Sequence, residues 1–155
     1  MEINEKMLET LIRKVIAEQL GKDGDTAKPG FEKYVDEKSG VLAIKTATVK
    51  PQPFDTGKPG DKVLLSDVVT LDESPRLGCG VMEMEETTFD WTLKYDEIDY
   101  VIDGTLEIVI DGRKVVGNKG DIIFIPKDTS IQFSVPEFAR FVYVTYPADW
   151  ESTIS

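Results

Sequence analysis

From Val63 to Tyr146 apolar residues recur at every second position in short runs, broken by Gly, Pro and Asp-Gly pairs at intervals of roughly 8 to 12 residues. Alternation of this kind makes one face of a strand apolar and the other polar. No segment between the runs carries the 3.6-residue period of a helix, so neighbouring strands have to be joined by turns and to run antiparallel. The pattern predicts an all-β antiparallel sandwich or jelly roll. Its strands are expected over Val41 to Val49, Val63 to Leu71, Gly78 to Met84, the apolar part of 91–104, and Leu106 to Ile110. Asp111-Gly112 then turns the chain into Lys114 to Val116, followed by Ile122 to Ile125, Ile131 to Val135 and Arg140 to Tyr146.

The stretch Trp91 to Gly104 carries the densest chemistry. Glu97, Asp99 and Val101 share one strand parity, and Ile98, Tyr100 and Ile102 share the other, ahead of a turn expected at Asp103-Gly104. Two carboxylates therefore project to one side, close to Tyr95. Inside a barrel each costs several kcal/mol unless it is paired, hydrated or protonated. That placement points to a ligand, a cation or a proton, with Tyr95, Glu97 and Asp99 as candidate catalytic groups. The plain alternative is a hydrated barrel mouth or a carboxylate paired to a structural base. Phe89, Trp91 and Leu93, like Met82 and Met84, are expected in the core. Cys79 is expected to be a small buried residue, and Glu83, Glu85 and Glu86 to form a solvated edge.

Ahead of this domain, residues 3 to 20 read as an amphipathic helix, with Ile3, Met7, Leu11 and Val15 on one stripe beside Leu8 and Ile12. A Gly- and Pro-containing linker and lead-in follow over 21–45, then the β domain over 46–150 and a tail over 151–155. Such a helix either packs on its own domain or docks on another protein.

Charge narrows the function further. There are 29 acidic and 18 basic residues, a net charge of −11, which speaks against a nucleic-acid surface or an anionic membrane. With no histidine and one cysteine, a His/Cys zinc site is unavailable, and only oxygen ligands for hard cations remain. No apolar run reaches transmembrane length, and the N-terminus has no secretory pattern. A cytoplasmic setting is expected.

Two spacings suggest a family. Glu97 precedes Gly104 by seven positions and Gly120 precedes Pro126 by six, which resembles the two motifs of the cupins, small jelly-roll barrels that commonly hold a metal on three His and a Glu. Here the Glu survives as Glu97. The His positions fall on Trp91, Leu93 and Ile131, and the second-motif Gly falls on Asp128. More closely, Trp91-Thr92-Leu93 with Tyr95 to Asp99, Phe124-Ile125-Pro126-Lys127, and Tyr146-Pro147-Ala148-Asp149-Trp150 resemble the EutQ-type ethanolamine-utilisation family. That resemblance implies a cupin-type barrel without the usual metal, encoded with bacterial microcompartment proteins, to which an acetate kinase activity has been attributed. Residues 3 to 20 resemble helices that direct enzymes into microcompartments.

For phosphoryl transfer between ATP and acetate there is no phosphate-binding glycine loop. Mg²⁺ brought with ATP would have to bridge Glu97 and Asp99 to the phosphates, with no tightly bound cofactor. Trp91, Thr92, Asp96, Lys127 and Arg140 are the candidate substrate-binding residues. A non-catalytic module binding a small polar or cationic molecule is the alternative. A metal-free isomerase using Tyr95 as acid is a third reading. A homodimer is expected, with contacts before Val63, together with docking of the helix on shell or cargo proteins.

Overall fold

The computed structural model describes residues 30–149. The helix expected over 3–20 and the tail over 151–155 lie outside the described residues. Among the described residues there are nine strands: β1 Lys33–Val35, β2 Leu42–Ile44, β3 Gln52–Pro53, β4 Val63–Asp67, β5 Gly78–Leu93, β6 Asp96–Ile110, β7 Arg113–Asn118, β8 Ile122–Ile125 and β9 Thr129–Tyr146. The fold is all-β, and every pairing is antiparallel.

Three strands are much longer than the alternation suggests. β5 runs 16 residues, β6 15 and β9 18, so segments expected as separate strands are halves of one. Each is bent where its register slips: between Glu85 and Thr87 on β5, and between Val101 and Asp103 and again between Gly104 and Glu107 on β6. A bulge adds a residue on one side of a pair and turns the strand, so one strand serves two layers. The first layer has the order β3, β4, first half of β5, second half of β9, first half of β6, β8. The second has the second half of β5, the first half of β9, the second half of β6, and β7.

The core lies between the layers, built from Met84, Leu93, Val101, Leu106, Ile108, Val135 and Phe141, all nearly inaccessible. Asp103-Gly104, expected as a turn, is instead the bulge that bends β6. Gly104 has φ +77°, and a Cβ there would lie 1.9 Å from the carbonyl oxygen of Phe138.

The outer face of the first layer carries a smaller core of Val49, Val68 and Val81, against which Phe31, Ile44, Cys79 and Val142 pack. Cys79 is half-buried there rather than fully enclosed. Residues 41–49, expected as one strand, leave β2 after Ile44 and form a 3-10 turn over Thr46–Thr48. Arg140 holds this lead-in down. Its guanidinium pairs with Glu83 and donates to the carbonyls of Thr46 at 2.7 Å and Val49 at 3.0 Å. Glu83 is thus half of a clamp and not part of a solvated edge. Arg140→Lys is expected to lose nearly as much stability as Arg140→Ala, about 2 kcal/mol by denaturant titration, because an ammonium cannot span the same three acceptors.

Further along the same face, Ile98, Tyr100, Ile122, Phe124 and Tyr146 stand exposed. Ile98 pairs with Phe124 and Tyr100 with Ile122 across β6 and β8, which makes a continuous apolar patch.

Candidate functional site

From Leu93 to Val101 burial alternates without a break: the odd-numbered residues are buried and the even-numbered exposed. This parity brings Tyr95, Glu97 and Asp99 to the barrel interior, at 3%, 6% and 0% exposure. Register then decides their neighbours. Glu97 sits opposite Thr145, and Asp99 opposite Tyr143, on β9. Tyr95 accepts a 2.7 Å hydrogen bond from the indole Nε1 of Trp91. Tyr143 donates to Asp67 Oδ1 at 2.6 Å, tying β9 to β4 across β5. Gly78 and Gly80 make room for this group, since a Cβ on either would fall 2.3 Å from Thr145 Oγ1 or 2.1 Å from the Tyr143 ring.

The electrostatics follow from burial. Desolvation pushes the Glu97 carboxyl up to about 7. Asp99 is raised well above the usual carboxylate range by burial and by the charge of Glu97. Burial thus favours the protonated forms of the pair. Among the described residues no donor reaches either Asp99 oxygen, and the buried hydroxyl of Thr145 has no partner either. Burial and the Asp67 carboxylate also drive the Tyr143 hydroxyl well up.

Two spaces adjoin this group. An interior cavity of about 30 Å³ is lined by Glu97, Thr145, Tyr95 and Tyr143, with an apolar wall that includes Trp91 and Phe133. An outer cleft of about 380 Å³ is lined by Asp90, Trp91, Thr92, Asp111, Ser130 and Gln132, among others. Trp91 borders both, and Glu97 and Asp99 do not reach the outer one.

The residues singled out from the sequence thus divide. Tyr95, Glu97, Asp99 and Trp91 come together, and Thr92 lies in the cleft, its hydroxyl 3.0 Å from Ser130 Oγ. Asp96, Lys127 and Arg140 join neither space. Asp96 is exposed and accepts from the backbone N–H of Lys127 at 2.8 Å, which ties down the turn before β9. The side chain of Lys127 is exposed, and Arg140 is the clamp described above. Thr145, Tyr143 and Asp67 are the members that sequence reasoning missed. The alternation Ala139, Phe141, Tyr143, Thr145 announced their shared face, but only the register shows what they meet.

Neither metal reading fits the donor set. Trp91, Leu93 and Ile131 offer no ligand atom where a cupin places histidines, and Leu93 and Ile131 belong to the core. Among the described residues no three acidic or thiol side chains converge. The space beside Glu97, about 30 Å³, holds about two waters, too little for Mg²⁺ and the waters it keeps.

The two bent layers around one core are those of a cupin, and the chain has the shape, at TM-score 0.52 and 11% identity over 66% of its length, of a cupin superfamily protein from Desulfitobacterium hafniense (87% of that chain). The family itself is closer. The chain belongs to the EutQ family of ethanolamine utilisation proteins, whose model, "Ethanolamine utilisation protein EutQ", matches residues 3–152. It is 58% identical over 153 residues to "Acetate kinase EutQ" of Clostridioides difficile, covering 97% of this chain and 96% of that one. It is 37% identical over 151 residues to "Acetate kinase EutQ" of Salmonella typhimurium, covering 97% of this chain but only 65% of that longer relative. The solved EutQ protein of Clostridium difficile superposes at TM-score 0.78 with 62% identity, over 81% of this chain and 93% of that one.

Proposed function

We propose that the chain is an acetate kinase of ethanolamine utilisation, at work in the cytoplasm in association with a bacterial microcompartment. One observation carries the reading: a relative of the same length, 58% identical along 97% of this chain, bears that name. In the reaction a carboxylate oxygen of acetate bonds to the γ-phosphorus of ATP. The bond from that phosphorus to the β–γ bridging oxygen breaks, and ADP and acetyl phosphate leave.

The two spaces constrain where this happens. A cavity of about 30 Å³ cannot admit a nucleotide, whereas the outer cleft of about 380 Å³ is within the range of ligand sites. Its hydroxyls of Thr92 and Ser130 and its amide of Gln132 offer hydrogen bonds to phosphate or sugar. The carboxylates of Asp90 and Asp111 suit the Mg²⁺ that accompanies ATP as part of the substrate. Pairing of two copies would cover the apolar patch around Tyr100 and Phe124.

The test is ADP release from Mg²⁺-ATP with and without acetate, on wild type and Asp90→Asn. Acetate-dependent ADP formation that falls at least about tenfold in the variant is expected, the cost of one lost charge-assisted contact. Release that ignores acetate would sink the activity, and release that ignores Asp90 would sink the assignment of the cleft.

A further inference from the structure

The interior cavity is left over by this reading: it is too small for ATP and shares only Trp91 with the cleft. Three observations define what suits it. The first is an excess of acceptors. Glu97 lines the cavity with Asp99 beside it on the same strand face, both buried. Neither oxygen of Asp99 meets a protein donor, and a buried acceptor without a donor is costly. The second is the hydroxyl of Thr145. It lines the same cavity, is 2% exposed, and makes no hydrogen bond. The third is the wall, where Tyr95, Tyr143, Trp91, Phe89 and Phe133 surround the polar spot with aromatic carbon, the surface that attracts a cation through ring quadrupoles. Among the described residues no Lys or Arg lines the space.

The geometry points to a binding site for a small primary ammonium headgroup, seated on Glu97 and Thr145, backed by Asp99 and enclosed by aromatic rings. An ammonium supplies N–H donors to the Glu97 carboxylate and to the Thr145 hydroxyl oxygen, which has no partner among the described residues. About 30 Å³ admits roughly two water-sized groups, which is the ammonium nitrogen and one carbon. A quaternary ammonium is too large. K⁺ and Na⁺ want more oxygens than the wall offers. Free ammonium and an alkylammonium such as ethanolammonium share the headgroup chemistry, and they differ in whether carbon beyond the first must leave the cavity. The assignment does not rest on the kinase reading.

Seating the cation favours the ionised form of Glu97 and so displaces a proton from the Glu97–Asp99 pair. The other titratable groups around them are Tyr95 ahead of β6, Tyr143 on β9, Asp67 on β4 and Cys79 on β5. Tyr143 and Cys79 are pushed up by burial and stay neutral at neutral pH. Asp67 already accepts the Tyr143 hydroxyl, so the proton released is that of the pair.

Isothermal titration of the full chain with ammonium chloride, methylammonium, ethanolamine, tetramethylammonium and KCl at pH 6.5 tests this, repeated in buffers of different ionisation enthalpy. Expected are saturable binding of ammonium and methylammonium with Kd on the order of 1 mM or tighter, and release of about one proton. Tetramethylammonium and K⁺ should give no saturable signal. Binding of ethanolamine as tight as methylammonium assigns the alkylammonium, and binding of ammonium alone assigns the free ion; either supports the site. Thr145→Val and Glu97→Gln should each weaken binding at least about tenfold, a lost hydrogen bond to a charge, with melting temperatures at or above wild type. Absence of binding by ammonium and methylammonium overturns the assignment. So does equal binding of K⁺, or binding that survives both substitutions.

Discussion

Gly104→Ala is expected to abolish or nearly abolish the folded state, and Gly112→Ala, at the same φ, to be well tolerated. Both glycines sit at +77°, where a side chain costs about 1–2 kcal/mol. At Gly112, the tip of the β6–β7 turn, a Cβ meets nothing within 4 Å, so that strain is the whole cost. At Gly104 the Cβ would lie 1.9 Å from the Phe138 carbonyl oxygen, 2.7 Å from its carbon and 2.9 Å from Ala139 Cα. All three are backbone atoms of β9 and have no rotamer to escape into. The clash can be relieved only by parting β6 from β9 at the bend that lets both strands serve two layers. A loss above about 4 kcal/mol is expected, a large share of a domain's total stability. Urea midpoints of the two variants check this. Equal midpoints would mean that the bend is soft and that β6 does not depend on it.

The second large effect is an inverted pH profile. An unfolded Glu97 titrates near 4.5 and the folded one at about 7, so between these values the native state holds a proton that the unfolded chain has released. Stability then falls as pH rises through that window, by about 3 kcal/mol from Glu97 alone. Asp99, raised for the same reason, prolongs the decline upward. Glu73 works the other way. Burial opposes its ionisation, but Lys33 and Thr70 outweigh that and hold it below its ordinary value, so its contribution is lost as pH drops under about 4.5. The protein should be most stable near pH 5. Glu97→Gln should match wild type there and exceed it clearly at pH 8, because the amide has no charge to desolvate. Chemical denaturation at pH 5, 6, 7 and 8 measures this; a wild type that gains stability from pH 5 to 8 would show that the pair is hydrated and ionised in solution.

Much of this was legible in the chain before any coordinates. Period-two alternation set the class of fold and the core: Met82, Met84, Phe89 and Leu93 had to face inward because their parity left them nowhere else to go. The same parity placed Glu97 and Asp99 side by side, and the absence of histidine removed the usual metal chemistry. What parity cannot supply is register, since pairing is decided by bulges and by which strand lies across. Thr145 and Tyr143 joined the carboxyl pair only because β9 runs past β6 at that offset. Arg140, whose sequence position is as suggestive as that of Lys127, points to the other face and serves the lead-in segment.

The bend at Gly104 looked like a turn because the local signal, an acidic residue followed by a glycine, is the same for a hairpin and for a bulge. The choice is made by what lies opposite. At Asp111-Gly112 nothing lies opposite and the chain turns back, whereas at Asp103-Gly104 the carbonyl of Phe138 presses against the glycine and the strand continues. The sequence by itself determined which residues are inside. The tertiary structure decided which of them touch, because contact across a sheet depends on strands that are distant in the chain and on bends whose local code is ambiguous.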